Sequence, residues 1–315
     1  MQPKTKGILW AIVSMLLWAA GFPAGRLLLN RGLTDPITLG MLRFFFGGVL
    51  MLGIGRALKV KGLFDLSFKN TAAYAVLGLV GTAMMGFLLL YAQKTVSAVN
   101  SAMIEAESPL MICLLGIFVL RKISVMQIVG LLFGFFGCLM VTGVITAQGL
   151  QLQSFQFGDG LIALSALCWS LYTVFGTKII AKTGAYAFTA WTMLFGSLWL
   201  ALLAAASPAS LLLPAATEFG AWAIIAFYIV FPTVIAFYAW NQALIYISPA
   251  LLSLSEYFTP FCTAVIAYFW LGESLSGLQI AGALIICGSV LIEPEIAELI
   301  KKEKARRMRA VFQPR

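Results

Sequence analysis

The chain has 315 residues, of which 61% are hydrophobic and only 10% charged, and its mean hydropathy is +0.97. Soluble domains carry about a quarter of their residues as charge, so this composition belongs to a polytopic membrane protein. The net charge of +9 could suit nucleic acid, but its distribution argues for membrane topology instead, and the lack of any histidine excludes histidine triads and histidine-ligated zinc or haem.

The five cysteines, Cys113, Cys138, Cys168, Cys262 and Cys287, stand singly in apolar runs and read as small buried hydrophobes. With no C-x-x-C pair and no phosphate loop of the G-x-x-x-x-G-K-[ST] kind, neither a metal, a cofactor nor an intrinsic ATPase is expected. The M-Q-P-K-T-K start followed by an apolar run reads as an uncleaved first span.

A membrane helix needs roughly 20 apolar residues. Ten stretches qualify: Gly7–Leu29, Pro36–Gly55, Thr71–Ala92, Ser97–Val119, Ser124–Ile145, Gly158–Ala181, Ala185–Ala206, Phe219–Leu244, Pro249–Leu271 and Gly277–Ile292. With the N-terminus inside, every basic residue except Arg26, Arg31, Arg43 and Lys94 falls on the cytoplasmic side. That asymmetry places both termini in the cytoplasm. The tail beyond Glu293 is basic and amphipathic, and reads as a solvated topological anchor.

The fourth span carries Glu105, Glu107 and Pro109 within one apolar stretch. Proline removes an amide donor and collides with the carbonyl four residues earlier, here that of Glu105. A kink and a carboxylate at one membrane depth mark a functional site before a structural one. The ninth span repeats the event with Glu256 and Pro260. Ser97/Ser248, Glu105/Glu256 and Pro109/Pro260 share a constant offset of 151 positions, as do Ser14/Ser165, Trp18/Trp169 and Gly25/Gly176. Each half therefore holds five spans, and an odd number inverts the second half relative to the first. Inverted repeats are the plan of secondary transporters, with the substrate near the midplane and interrupted spans pointing to it. Gly81 in the third span and Pro232 in the eighth, at equivalent positions, are the other candidate hinges. The expected division is residues 1–146 and 147–296 for the halves and 297–315 for the tail.

The W-A-A-G-F-P-A-G stretch at Trp18–Gly25 with its Trp169 partner, the two prolines, the L-G-E-S-L turn at Leu271–Leu275 and the Q-I-x-G starts of spans five and ten together resemble the EamA-type branch of the drug/metabolite transporter superfamily. Arg121-Lys122 stands where that family usually shows a G-E pair. The resemblance implies a central cavity between spans one, three, four, six, eight and nine, with spans five and ten peripheral. It also implies a small-molecule substrate, amino acids being common, moved outward across a bacterial inner membrane.

Ser101, Glu105, Ser108 and Ile112 share one face of a helix, and Glu256 and Thr259 lie on the matching face of span nine, so these polar residues are candidates for the cavity wall. Trp18, Trp169, Tyr172 and Tyr257 are its candidate aromatic lining. Counted from the outer ends of their spans, Arg43 and the two neighbouring glutamates lie at nearly equal depth. Arg43–Glu107 is therefore expected as a structural pair, leaving Glu105 to the cavity; an Arg43 that reached the cavity would favour a substrate carboxylate. Glu105 and Glu256 would bind a substrate amine or carry a coupled proton. The rival readings are an uncoupled facilitator of hydrophobic or lipid-like metabolites and, in a different class, a non-transporting receptor or scaffold. Catalysis is not expected.

Overall fold

The computed structural model describes residues 2–120, 125–141, 144–146, 148–151, 157–206, 211–271 and 276–292. The Arg121-Lys122 turn, Gly272–Leu275 and the basic tail lie outside them. The described residues are helical but for connections and one short hairpin, β1 (Ile145–Thr146) with β2 (Gly149–Leu150), ahead of the second half.

Helix α1 (Pro3–Asn30) starts with proline in its first turn, where the missing amide costs nothing, and ends at Gly32, whose φ of +63° suits a residue without Cβ. Helix α2 (Pro36–Ala57) begins the same way behind an Asp35 cap. The third span is α3 (Phe68–Gly78), a π-helical turn over Leu79–Met84, and α4 (Met85–Ala92). The fourth is split into α5 (Ala98–Glu105) and α6 (Ser108–Leu120), followed by α7 (Val125–Val141).

The second half runs α8 (Phe157–Thr183), α9 (Ala185–Ala206), then α10 (Phe219–Tyr228), a π-helical turn over Ile229–Ile235, and α11 (Ala236–Ala243). The ninth span is α12 (Pro249–Leu254), a 3₁₀ turn at Ser255–Tyr257 and α13 (Phe258–Leu271); α14 (Gly277–Ile292) closes the described chain. The breaks recur at the sequence offset noted above: π-helical turns in spans three and eight, and interrupted α-helix in spans four and nine. Both broken spans also begin alike, Ser97 accepting from the Asn100 amide and Ser248 from that of Leu251.

Six of these spans are long and apolar enough to cross a membrane: Pro3–Asn30, Pro36–Ala57, Phe68–Ala92, Phe157–Thr183, Ala185–Ala206 and Phe219–Ala243. The other four expected spans are divided by their breaks or are shorter. The fifth is shorter than read from sequence because Ile145 belongs to the hairpin. Large apolar side chains face outward along the helices, among them Leu9, Ile12 and Leu16 on α1 and Phe45, Phe46 and Val49 on α2. Such a rim fits lipid rather than water. Inside, α2 packs on α9, α7 on α14, α1 on α11 and α13, and α8 on both α4 and α6.

Candidate functional site

Where the breaks converge, the helices line a cavity of about 80 Å³ that is partly open to the exterior. Its wall draws on both halves: Trp18 and Phe22 from α1, Arg43 from α2, Gln93 at the end of α4, Glu105 and Ser108 beside the break of span four. Trp169 from α8, Tyr228 and Pro232 from span eight, Phe237 from α11, and Glu256 and Thr259 from span nine complete it.

The break in span four follows from Pro109. Ala106 and Glu107 form a turn, so Glu105 is the last residue of α5 and Ser108 the first of α6. The interruption ends the continuous face expected from Ser101 to Ile112. Ser101 and Ile112 are buried in the packing, while Glu105 and Ser108 remain at the cavity. In span nine the 3₁₀ turn holds Glu256 four residues ahead of Pro260.

The two carboxylates are held differently. Glu256 is buried and both its oxygens accept bonds: one from the Ser108 hydroxyl in span four, the other from Trp169 Nε1 at 2.6 Å. It thereby fastens the first half to the second. The Ser170 hydroxyl donates to the Ser108 carbonyl at 3.2 Å and reinforces that seam. Glu105 lies beside Ser165, and its Oε1 is buried at the cavity with no hydrogen-bond partner. Of the two, Glu105 is the one with capacity for a ligand.

Beneath the cavity the aromatic residues close up. The Trp18 ring meets Trp169 edge-on at 5.0 Å and Phe237 at 5.6 Å, and Trp18 Nε1 donates to the Pro232 carbonyl at 2.9 Å. Trp169 stacks on Tyr172 at 5.3 Å. Tyr172 is fully buried below this layer and accepts from Asn241 Nδ2 at 2.8 Å, while Trp240 Nε1 donates to Thr173 Oγ1 at 3.2 Å. These groups form a plug. Tyr257 points away, its hydroxyl donating to the Leu131 carbonyl at 3.1 Å. Among the expected lining residues the structure thus brings Trp18, Trp169, Glu105, Glu256, Ser108 and Thr259 together, and leaves Ser101, Tyr172 and Tyr257 outside the cavity.

The π-helical turns sit where the spans press closest. A Cβ on Gly81 would collide with the Tyr172 ring, and one on Gly21 would stand 2.9 Å from Pro232. Pro232 lacks an amide to donate, and π-helical turns recur at functional sites.

The expected Arg43–Glu107 pair is not formed. Arg43 lines the cavity and donates from Nη1 to the Tyr228 hydroxyl at 3.1 Å; Glu107 is not part of the cavity wall. Equal depth along two helices says nothing about the direction in which the side chains leave them. The Ala106–Glu107 turn also breaks the helical count on which that reading relied. Arg43 at the cavity is the alternative that the sequence left open, while two polar contributors, Gln93 and Tyr228, went unread. Gln93 had a signal, an amide at the end of the otherwise apolar L-L-L-Y-A-Q run. Tyr228 had none.

The sequence model of the EamA-like transporter family matches residues 5–143 and again residues 156–292. The chain belongs to that family. Among its relatives, the Bacillus subtilis protein described as uncharacterized transporter YyaM is 29% identical over 236 residues, covering 74% of this chain and 76% of that protein. Uncharacterized transporter YdfC of the same organism is 28% identical and covers 92% of each. A probable terminal-alkyne amino-acid exporter of Streptantibioticus cattleyicolor is 24% identical, covering 92% of this chain and 94% of that protein. A solved crystal structure superposes with a TM-score of 0.74 at 22% identity, over 94% of this chain and 99% of the other, and shares the fold. The chain is a multi-pass membrane protein of an EamA-type transporter family.

Proposed function

We propose that this protein is a secondary transporter that moves amine-bearing small metabolites, amino acids among them, outward across the bacterial inner membrane by alternating access. Ten spans form two inverted halves, 1–146 and 147–296, with both termini and the basic tail in the cytoplasm. The observation that carries the reading is one cavity walled by both halves, with carboxylates at the matched helix breaks. A binding site shared by two repeats suits rocking of one against the other. In the proposed orientation the cavity opens outward, since Phe22, Arg43, Gln93 and Glu105 all lie in the outer halves of their spans, and the Trp240–Thr173 and Asn241–Tyr172 bonds close the cytoplasmic side.

The amine preference rests on Glu105. A half-buried carboxylate inside a membrane span, with one buried oxygen left open, favours a cation or a proton. The distant exporter relative, named for an amino acid, agrees with that preference. The apolar share of the wall, Phe22, Met85, Leu89 and Phe237, favours a second reading, an uncoupled facilitator of hydrophobic metabolites.

Counterflow in proteoliposomes separates the readings. Vesicles loaded with an unlabelled amino acid should accumulate the labelled one, and Glu105→Gln should abolish that exchange. Glu256→Gln should make residual exchange independent of pH if the pair carries a proton. Exchange of apolar metabolites alone, indifferent to both substitutions, would favour the facilitator. A protein that binds ligand but exchanges no solute would be a receptor or scaffold.

A further inference from the structure

The cavity wall carries a cation, Arg43, with no ion pair to Glu105 in the same wall. Arg43 is 4% exposed, its guanidinium carbon lies 4.3 Å from the centre of the Phe44 ring and 5.1 Å from that of Tyr228, and its Nε has no hydrogen-bond partner. Among the described residues no carboxylate forms an ion pair with it. An arginine does not discard its proton when buried, so its charge persists and calls for an anion.

A second group points the same way. Gln93 is fully buried at the cavity wall, and neither atom of its amide has a partner. Buried polar atoms are nearly always bonded, and exceptions demand an explanation. Gly25 leaves these groups their space: a Cβ there would stand 3.0 Å from Gln93 Oε1 and 3.1 Å from the Tyr228 hydroxyl. Nothing in the repeat requires the arrangement, because the positions matched to Arg43 and Gln93 in the second half are Leu194 and Leu244.

We infer that Arg43, Gln93 and Tyr228 form a carboxylate subsite, so that the substrate is a compact zwitterion and not simply an amine. The inference rests on the transporter reading above and adds the second charge. Arg43 Nη2 lies 4.0 Å from where a Cβ on Gly86 would stand, while Glu105 sits beside Ser165, whose hydroxyl donates to the Met85 carbonyl at 3.0 Å. Opposite charges therefore flank neighbouring residues of the third span. Arg43 and Gln93 would donate to the carboxylate and Glu105 would receive the ammonium. The carbon skeleton would lie against Trp18, Trp169 and Phe237.

The test is binding of four matched probes to the purified full-length protein by calorimetry: leucine, leucinamide, isoamylamine and 4-methylpentanoate. Leucine should bind about tenfold to a hundredfold tighter than leucinamide, the range expected for hydrogen bonds to a charged group. Arg43→Gln and Gln93→Leu should erase that difference and leave isoamylamine unaffected. Arg43→Lys, which keeps the charge should the glutamine variant misfold, should retain part of it. Equal binding of acid and amide by the unsubstituted protein would overturn the inference. So would loss of all four probes together in a folded Gln93→Leu variant. A preference that vanishes when chloride replaces a bulky sulfonate buffer anion would assign the site to an inorganic anion and overturn it too. If none of the probes binds while another solute exchanges in vesicles, the subsite falls and the transporter stands; if no solute exchanges at all, the transporter reading fails.

Discussion

Gly81 shows how little room a single residue can leave. Its Cα faces the Tyr172 ring within the π-helical turn, and any added carbon overlaps that ring, whereas Gly53 in α2 has nothing within 4 Å of an added Cβ. Overpacking a close contact costs roughly 1–3 kcal/mol. Gly81→Ala should therefore lower the thermal midpoint of the purified protein, and Gly53→Ala should leave it unchanged or raised. Equal midpoints for the two variants would mean that the turn and Tyr172 part easily. Residue-scale reading of the sequence succeeded where chemistry is local. Proline must disturb the helix ahead of it, so the Glu105 and Glu256 breaks could be expected. It failed for Arg43, whose partner Tyr228 lies 185 positions away on a helix that no local pattern relates to α2.

At the scale of elements, the start of α2 is tied to the other half of the chain. Asp35 caps the helix by accepting from the amides of Ile37 and Thr38 at 2.9 and 3.0 Å, takes a further bond from the Thr38 hydroxyl, and accepts from the Leu212 amide at 2.9 Å. Burial alone would raise its pKa, but the bonds from Thr38, Leu212 and Ile37 outweigh it and hold the carboxyl below its ordinary 3.8. A carboxyl lowered in the folded state contributes stability above its unfolded value, and that contribution is lost as pH falls below about 4 through the folded value. Asp35→Ala should cost roughly 0.5–2 kcal/mol at neutral pH, the usual worth of a cap, and the deficit should shrink in acid. Melting curves of both proteins at pH 7 and pH 3 check this; a deficit that does not shrink at pH 3 would assign the loss to packing instead. The Asp35-Pro36 start was visible in sequence, but its tie to Leu212 was not, because a capping pattern reports only its own turn. Likewise the π-helical turn around Gly81 has no proline to announce it, unlike its counterpart at Pro232.

At the scale of the molecule, α2 packs on α9 and α7 on α14, so helices related by the sequence offset of about 151 positions lie against each other. The cavity and the plug are matched in the same way: Phe22 lines the cavity, and Thr173, at the same position in the second half, is sealed beneath Trp240. Alternating access requires these two environments to exchange. The deciding measurement places a single cysteine at Phe22 or at Thr173 in a cysteine-free background and labels oriented vesicles from either side with an impermeant maleimide. The account predicts that the Phe22→Cys protein reacts from outside in the state described here and Thr173→Cys does not. Solute loaded on the cytoplasmic side to drive exchange should lower the first reactivity and open the second from inside. Thr173→Cys that stays unreactive while solute is exchanging, or two cysteines that react from the same side, would contradict it.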